Sequence, residues 1–206
     1  MIPPAIPQLL AAYRRLNYVV FDSGPHDLNI FGIRSRGRDQ SGDAFDDLIG
    51  FFRFVHGQPV ALFFPATTDP GLSALRDPSF PEAIRNGTAI LKEGQYRSAY
   101  RIGLHGMGKW RHQALVQVRP VTIYRDANRD AVLNTEGVPE SMGLFGINIH
   151  AASLWNDVAR IGNYSSGCQV LQKSRDLRRL IEACGLQVNA GLGSLFTYTL
   201  LNEEQL

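Results

Sequence analysis

Residues 145–171 read FGINIHAASLWNDVARIGNYSSGCQVL. From Gly146 to His150 apolar and polar side chains alternate, the pattern of a strand with one buried face. Ile147 and Ile149 are expected to face a core, with Gly146, Asn148 and His150 on the opposite side. Residues 151–163 read as a loop with at most one helical turn. They lead to Tyr164-Ser165-Ser166-Gly167-Cys168, a glycine turn that carries one of only two cysteines in the chain. Cysteine chemistry needs the thiolate, which an imidazolium or oriented amides can favour. His150, brought across the sheet, would supply the base. The N–H groups of Gly167 and Cys168 would hold the oxyanion of a tetrahedral intermediate. The competing reading is that Cys168 is a small buried hydrophobe.

Outward from this stretch the chain is rich in strand signals. YVVF (18–21), DLNIFGIR (27–34), LIGFFRFV (48–55) and PVALFF (59–64) are short aromatic and β-branched runs separated by Gly, Pro and Asp. AILKEG (89–94), AYRIGLH (99–105), ALVQVRPVTIYR (114–125) and SLFTYTLL (194–201) continue the pattern. The prolines and glycines of 65–89 predict a long irregular crossing. Two helices are expected: PQLLAAYRRL from Pro7, and KSRDLRRLIEACGL (173–186). In the second, Leu177, Leu180, Ile181 and Cys184 form one stripe and Gly185 is the stop. The fold class is therefore mostly β with a few helices.

At 206 residues the chain suits one domain with an appendage, and its 44% apolar content can build a core. A formal charge of +2 argues for neither nucleic acid nor a membrane surface. The two cysteines make neither a disulfide framework nor a zinc motif. The N-terminus lacks the features of a signal peptide, and no run approaches the ~20 apolar residues of a membrane helix. No cofactor or metal is expected.

Gly146-Ile147-Asn148-Ile149-His150, a loop, then Ser165-Ser166-Gly167-Cys168 resembles the signature of the L,D-transpeptidase catalytic domain: a Gly-x-x-x-His strand end, roughly fifteen residues, then Ser/Thr-His-Gly-Cys. The resemblance covers about 25 residues. It implies Cys168 as nucleophile, His150 as general base, Ser165 in the Ser/Thr position and Gly167 in the oxyanion turn, with Asn148, Ser165 and Ser166 shaping the catalytic site. It also implies an L,D-transpeptidase-like β-sandwich, with a catalytic core at 91–206 and residues 1–90 as an N-terminal extension that completes or covers it. Two positions depart from the signature. Ser166 stands where the family has histidine, and Val170, after Gln169, where an arginine is usual. The usual substrate and acceptor are therefore in question.

The activity implied is attack on an L,D-type bond of a peptidoglycan stem peptide through a thioester. The expectation is cleavage or exchange rather than housekeeping cross-linking. Without a visible signal, a phage lysis protein or an effector delivered to the cell wall or periplasm fits best; a delivery machine or holin partner is left open. The alternative is a non-catalytic wall-binding or virion module that keeps the cleft. Asn148, His105, Trp155 and Lys109 are candidate substrate contacts, with His105 able to stand in for the histidine absent at 166. Lys109, Trp110 and Arg111 beside His112 could bind a carboxylate or a sugar face, but solvated surface charge is the preferred reading of this run. Asp126, Asn128, Asp130 and Asn134 partly match a calcium loop, but Ala131 and Gly137 stand where the glycine and bidentate glutamate belong, so an Asx-rich turn is preferred. Cys184 is assigned to core packing.

Overall fold

A computed structural model describes residues 1–35 and 43–206. The molecule is mostly β. Its elements are α1 (Ile6–Arg15), β1 (Asn29–Arg34), β2 (Asp47–Val55), β3 (Gln58–Thr67), α2 (Leu72–Arg76), α3 (Pro81–Asn86), β4 (Thr88–Leu91), β5 (Gly94–His105), β6 (His112–Gln117), β7 (Val121–Asp126), β8 (Glu140–Gly143), β9 (Ile149–Ala151), β10 (Gln169–Leu171), α4 (Ser174–Asn189) and β11 (Phe196–Asn202). Eight strands close into a barrel in the order β1-β11-β5-β6-β9-β10-β3-β2, and β4-β7-β8 form a separate sheet. The expected pair of stacked sheets is thus a closed ring. Strands β1, β2 and β3, from the first 90 residues, are joined into it by hydrogen bonds to β11 and β10.

Two apolar clusters hold the barrel. In the larger, Leu177, Leu180 and Cys184 of α4 pack on Leu115, Ile147, Ile149 and Leu171. Cys184 is fully buried there, as its place on the helix stripe predicts. In the smaller, Leu9, Ala12 and Tyr13 of α1 cover Phe31, Ile33, Leu48 and Phe52. Tyr13 meets Phe52 edge-on at 5.3 Å. Strand β1 is buried on both faces because Ile30 faces one cluster and Phe31 and Ile33 the other. Each such side chain contributes about 1.5–3 kcal/mol on burial.

Several local expectations are corrected. Residues 18–21 are not a strand. The Val19 N–H and carbonyl bond the Gln95 side chain, and the Phe21 N–H donates to Asn29 Oδ1, so side chains satisfy that backbone in place of a ladder. The crossing at 65–89 is more ordered than its prolines suggest: β3 runs to Thr67, and α2, α3 and the start of β4 follow. Pro81 opens α3, where its missing N–H costs nothing. The run 114–125 is two strands in different sheets, parted at Pro120, which has no N–H for a ladder. Helix α4 passes through Gly185 to Asn189. Its continuation is anchored by Gln187, whose Oε1 accepts the Leu28 N–H at 3.1 Å, an interaction that offsets the ~1 kcal/mol a mid-helix glycine costs.

Candidate active site

Strands β9 and β10 run parallel, with Ile149 opposite Gln169 and His150 opposite Val170. The Gln169 N–H donates to Asn148 O at 2.9 Å, so Cys168 enters β10 beside Asn148. Paired residues of neighbouring strands share a face, and Asn148, His150 and Cys168 therefore lie on the face opposite Ile149. Ile147 and Ile149 are buried in the core, in keeping with the alternation of 146–150.

The turn before Cys168 is built by Ser165 and Gly167. Ser165 Oγ donates to Cys168 O at 2.8 Å and accepts the Gly167 N–H at 3.3 Å. Gly167 has φ of +120°, and a Cβ there would lie 2.4 Å from Ala89 O, so only glycine fits. The Gly167 N–H is thus engaged within the turn, which leaves the Cys168 N–H as the oxyanion donor of the expected pair.

Behind the turn lies a buried polar network. Gln169 is fully buried; its Nε2 donates to Thr68 O at 3.1 Å and its Oε1 accepts the Tyr198 hydroxyl at 2.9 Å. That hydroxyl occupies the space a Cβ at Gly32 would take, 1.9 Å from the ideal position. Thr68 in turn donates its N–H and hydroxyl to Asp47, each at 2.7 Å. Arg34 bonds Thr68 O and Leu91 O and pairs with Asp69 at 2.8 Å. Burial, and then Asp69, raise the Asp47 carboxyl. A buried charge needs such partners, and here they are fixed on β1, β2, β4, β10 and the residues that follow β3.

His150 is buried, and its Nδ1–H donates to Ala151 O at 3.0 Å. This tautomer leaves the Nε2 lone pair as the basic position. His105 stacks on the ring at 3.9 Å between centroids, and the Asn148 Nδ2 donates to His105 Nδ1 at 3.1 Å. Burial first, then His105, push the His150 imidazole down to about 3. Burial also pushes the Cys168 thiol up to about 11, against a smaller opposing pull from the Asn148 backbone. The thiol donates to Gly146 O at 3.4 Å. The expected thiolate beside an imidazolium is therefore replaced, at rest, by a neutral thiol and a neutral imidazole. The burial of His150 and the half-buried position of Cys168 are the cause.

A cavity of about 400 Å³ opens beside His150, lined by His105, Trp110, His112, His150, Leu154 and Tyr164 among others; Cys168 is not among its lining residues. Trp110 and Trp155 meet edge-on at 4.7 Å at its lip, both about half exposed. Lys109 is exposed, with Nζ 5.4 Å from the Trp110 ring. Ser166 turns the other way, into a second cavity of about 740 Å³ with Asp43, Arg76, Asp77 and Phe80. Asn163 lines both, so the Ile161–Ser166 stretch is the ridge between them. Strand alternation places His150, but no local signal pointed to Gln169 or Arg34, whose roles depend on contacts remote in sequence.

Among the described residues no cluster of His, Cys, Asp or Glu has the arrangement of a metal site. The loop after β7 is closed by its own side chains: Asp126 accepts the Asn134 N–H and Asp130 the Val132 N–H. No helix among these residues is long and apolar enough to cross a membrane. No protein-family model matches the chain, and neither a curated protein nor a solved structure matches it.

Proposed function

We propose that the chain is a divergent enzyme of the L,D-transpeptidase class, acting on peptidoglycan stem peptides through Cys168. The supporting observation is the parallel pairing of β9 with β10, which sets the strand end bearing His150 beside the turn bearing Cys168. Sγ attacks the carbonyl carbon of an L-centre joined to a D-residue, and its proton passes to His150 Nε2. Because both groups rest neutral, proton transfer accompanies S–C bond formation instead of preceding it. The oxyanion takes the Cys168 N–H. The departing amine then recovers the proton, leaving a thioester. Water or a second amine attacks that thioester, the C–S bond breaks, and the proton lost by the attacker returns to sulfur. The first outcome is cleavage and the second exchange or cross-linking; cleavage or exchange is the reading preferred, at a wall reached by delivery from outside or by lysis.

A second reading is a wall-binding or virion module. It is favoured by the engaged Gly167 N–H and by the thiol's hydrogen bond to Gly146 O. Mass spectrometry of purified muropeptides incubated with wild type and with Cys168→Ala separates the two. Trimmed, split or exchanged stems from wild type alone support the enzyme; identical spectra from both samples sink it.

A further inference from the structure

Strands β5 and β6 pair from Tyr100–Gln117 to His105–His112 and form one hairpin. Between Glu93 and Asp126 the chain holds no acidic residue. The hairpin and its flanks carry Arg97, Arg101, Lys109, Arg111 and Arg119, all exposed. Among the described residues no ion pair or side-chain hydrogen bond engages these five, whereas Arg34, Lys92, Arg125, Arg160, Lys173 and Arg179 each form an ion pair. The whole chain has a formal charge of +2, so the remainder carries −3. The charge is therefore segregated onto one arm.

That arm is also a wall of the histidine cavity. His105 and His112, the register pair at its end, both line the cavity, and Trp110 sits in the turn between them. By alternation Arg101 shares a face with Gly103 and His105. Unpaired like charges on one element repel one another and cost stability, and a complementary anion removes that cost.

We infer that this hairpin is a docking arm for an acidic peptide, which it draws by its carboxylates into the cavity over His150. The inference rests on the stem-peptide reading and adds to it that recognition is electrostatic and resides in the β5–β6 arm. Rim charges of this kind act mainly on the encounter rate and give a strong dependence on salt. A peptide is favoured over a broad anionic surface because Lys109 and Arg111 flank Trp110 and His112, which line a cavity of about 400 Å³ that suits a chain end, while Arg97, Arg101 and Arg119 continue the charge along the arm away from it.

The test uses the full chain carrying Cys168→Ala, so that binding is read without turnover. Of the chain's two tryptophans, Trp110 lines the cavity and Trp155 packs edge-on against Trp110, so tryptophan fluorescence reports on this site. The probes are a synthetic stem tetrapeptide with free carboxylates and the same peptide fully amidated, each at about 20 and 300 mM salt. The free-acid peptide should bind, weaken with salt, and exceed the amidated form by about tenfold. The triple variant R101E/K109E/R111E should lose about tenfold, while R14E/R85E/R175E, with the same change in net charge elsewhere, should stay within about threefold of the parent. Equal binding of the two peptides, no binding of either, or an equal loss in both triple variants overturns the arm. So does tighter binding of anionic phospholipid vesicles or polyphosphate than of the peptide. Cys168-dependent muropeptide cleavage without these effects would leave the enzyme reading standing and remove the arm. Salt-dependent acidic-peptide binding without turnover would do the reverse.

Discussion

Alkylation of Cys168 as a function of pH tests the site's electrostatics without a substrate. The thiol is pushed up to about 11, whereas a free cysteine titrates near 8.5. At pH 7.5 the thiolate fraction is then roughly 300-fold below that of free cysteine. Greater intrinsic nucleophilicity of the more basic thiolate returns about tenfold. The net expectation is a rate about 20–30-fold slower than free cysteine at pH 7.5, rising about tenfold per pH unit up to pH 10. Iodoacetamide labelling followed by peptide mass mapping resolves the two cysteines, and Cys184 stays unlabelled because it is fully buried. His150→Ala should change the rate little, since the imidazole is already neutral above about pH 4. A plateau below pH 7, or a rate at pH 7.5 above that of free cysteine, would refute the neutral pair and restore the ion pair expected from sequence.

His150 should also make the fold sensitive to acid. Its folded value near 3 lies below the unfolded 6.5, so below pH 6.5 the unfolded chain binds a proton that the fold refuses, and stability falls as pH falls towards 3. Between pH 7.5 and pH 5 this removes about 2 kcal/mol, read as the difference between urea unfolding of wild type and His150→Gln; parallel curves for the two proteins would contradict it. Gly167→Ala forces a Cβ against Ala89 O at positive φ and should cost about 2–4 kcal/mol, lowering Tm by roughly 5–10 °C in calorimetry. An unchanged Tm would mean that the turn relaxes freely.

What could be read from sequence was mostly local. The stripe of α4 and the alternation of 146–150 depend on periodicity alone, and the structure keeps both. YVVF failed because strand propensity says nothing about whether a partner strand exists; Gln95 and Asn29 meet that backbone first. The order in 65–89 was hidden because prolines that interrupt a strand can also open a helix, as Pro81 does. At the site, the histidine and cysteine were visible as residue types. Their protonation was not, because it is set by burial under remote elements and, for His150, then by a stacked His105 from another strand. Closure of the sheets into a ring was equally illegible, since it depends on β11 pairing with β1 across most of the chain.

That closure has a consequence for how the molecule assembles. β11 is the last of the strands in sequence, and it bonds β1 in parallel on one side and β5 on the other. Until it is made, β1 and β5 each present an open edge, and such edges recruit strands from other molecules. A ring closed by so distant a pairing folds slowly, because the loop must close before the contacts reward it. During synthesis, the elements that carry His150 and Cys168 emerge before the strand that seals the barrel. A partner or chaperone that shields those two edges would therefore govern the yield of folded protein, and a β11 supplied by a neighbouring copy would seal the ring as a domain-swapped pair.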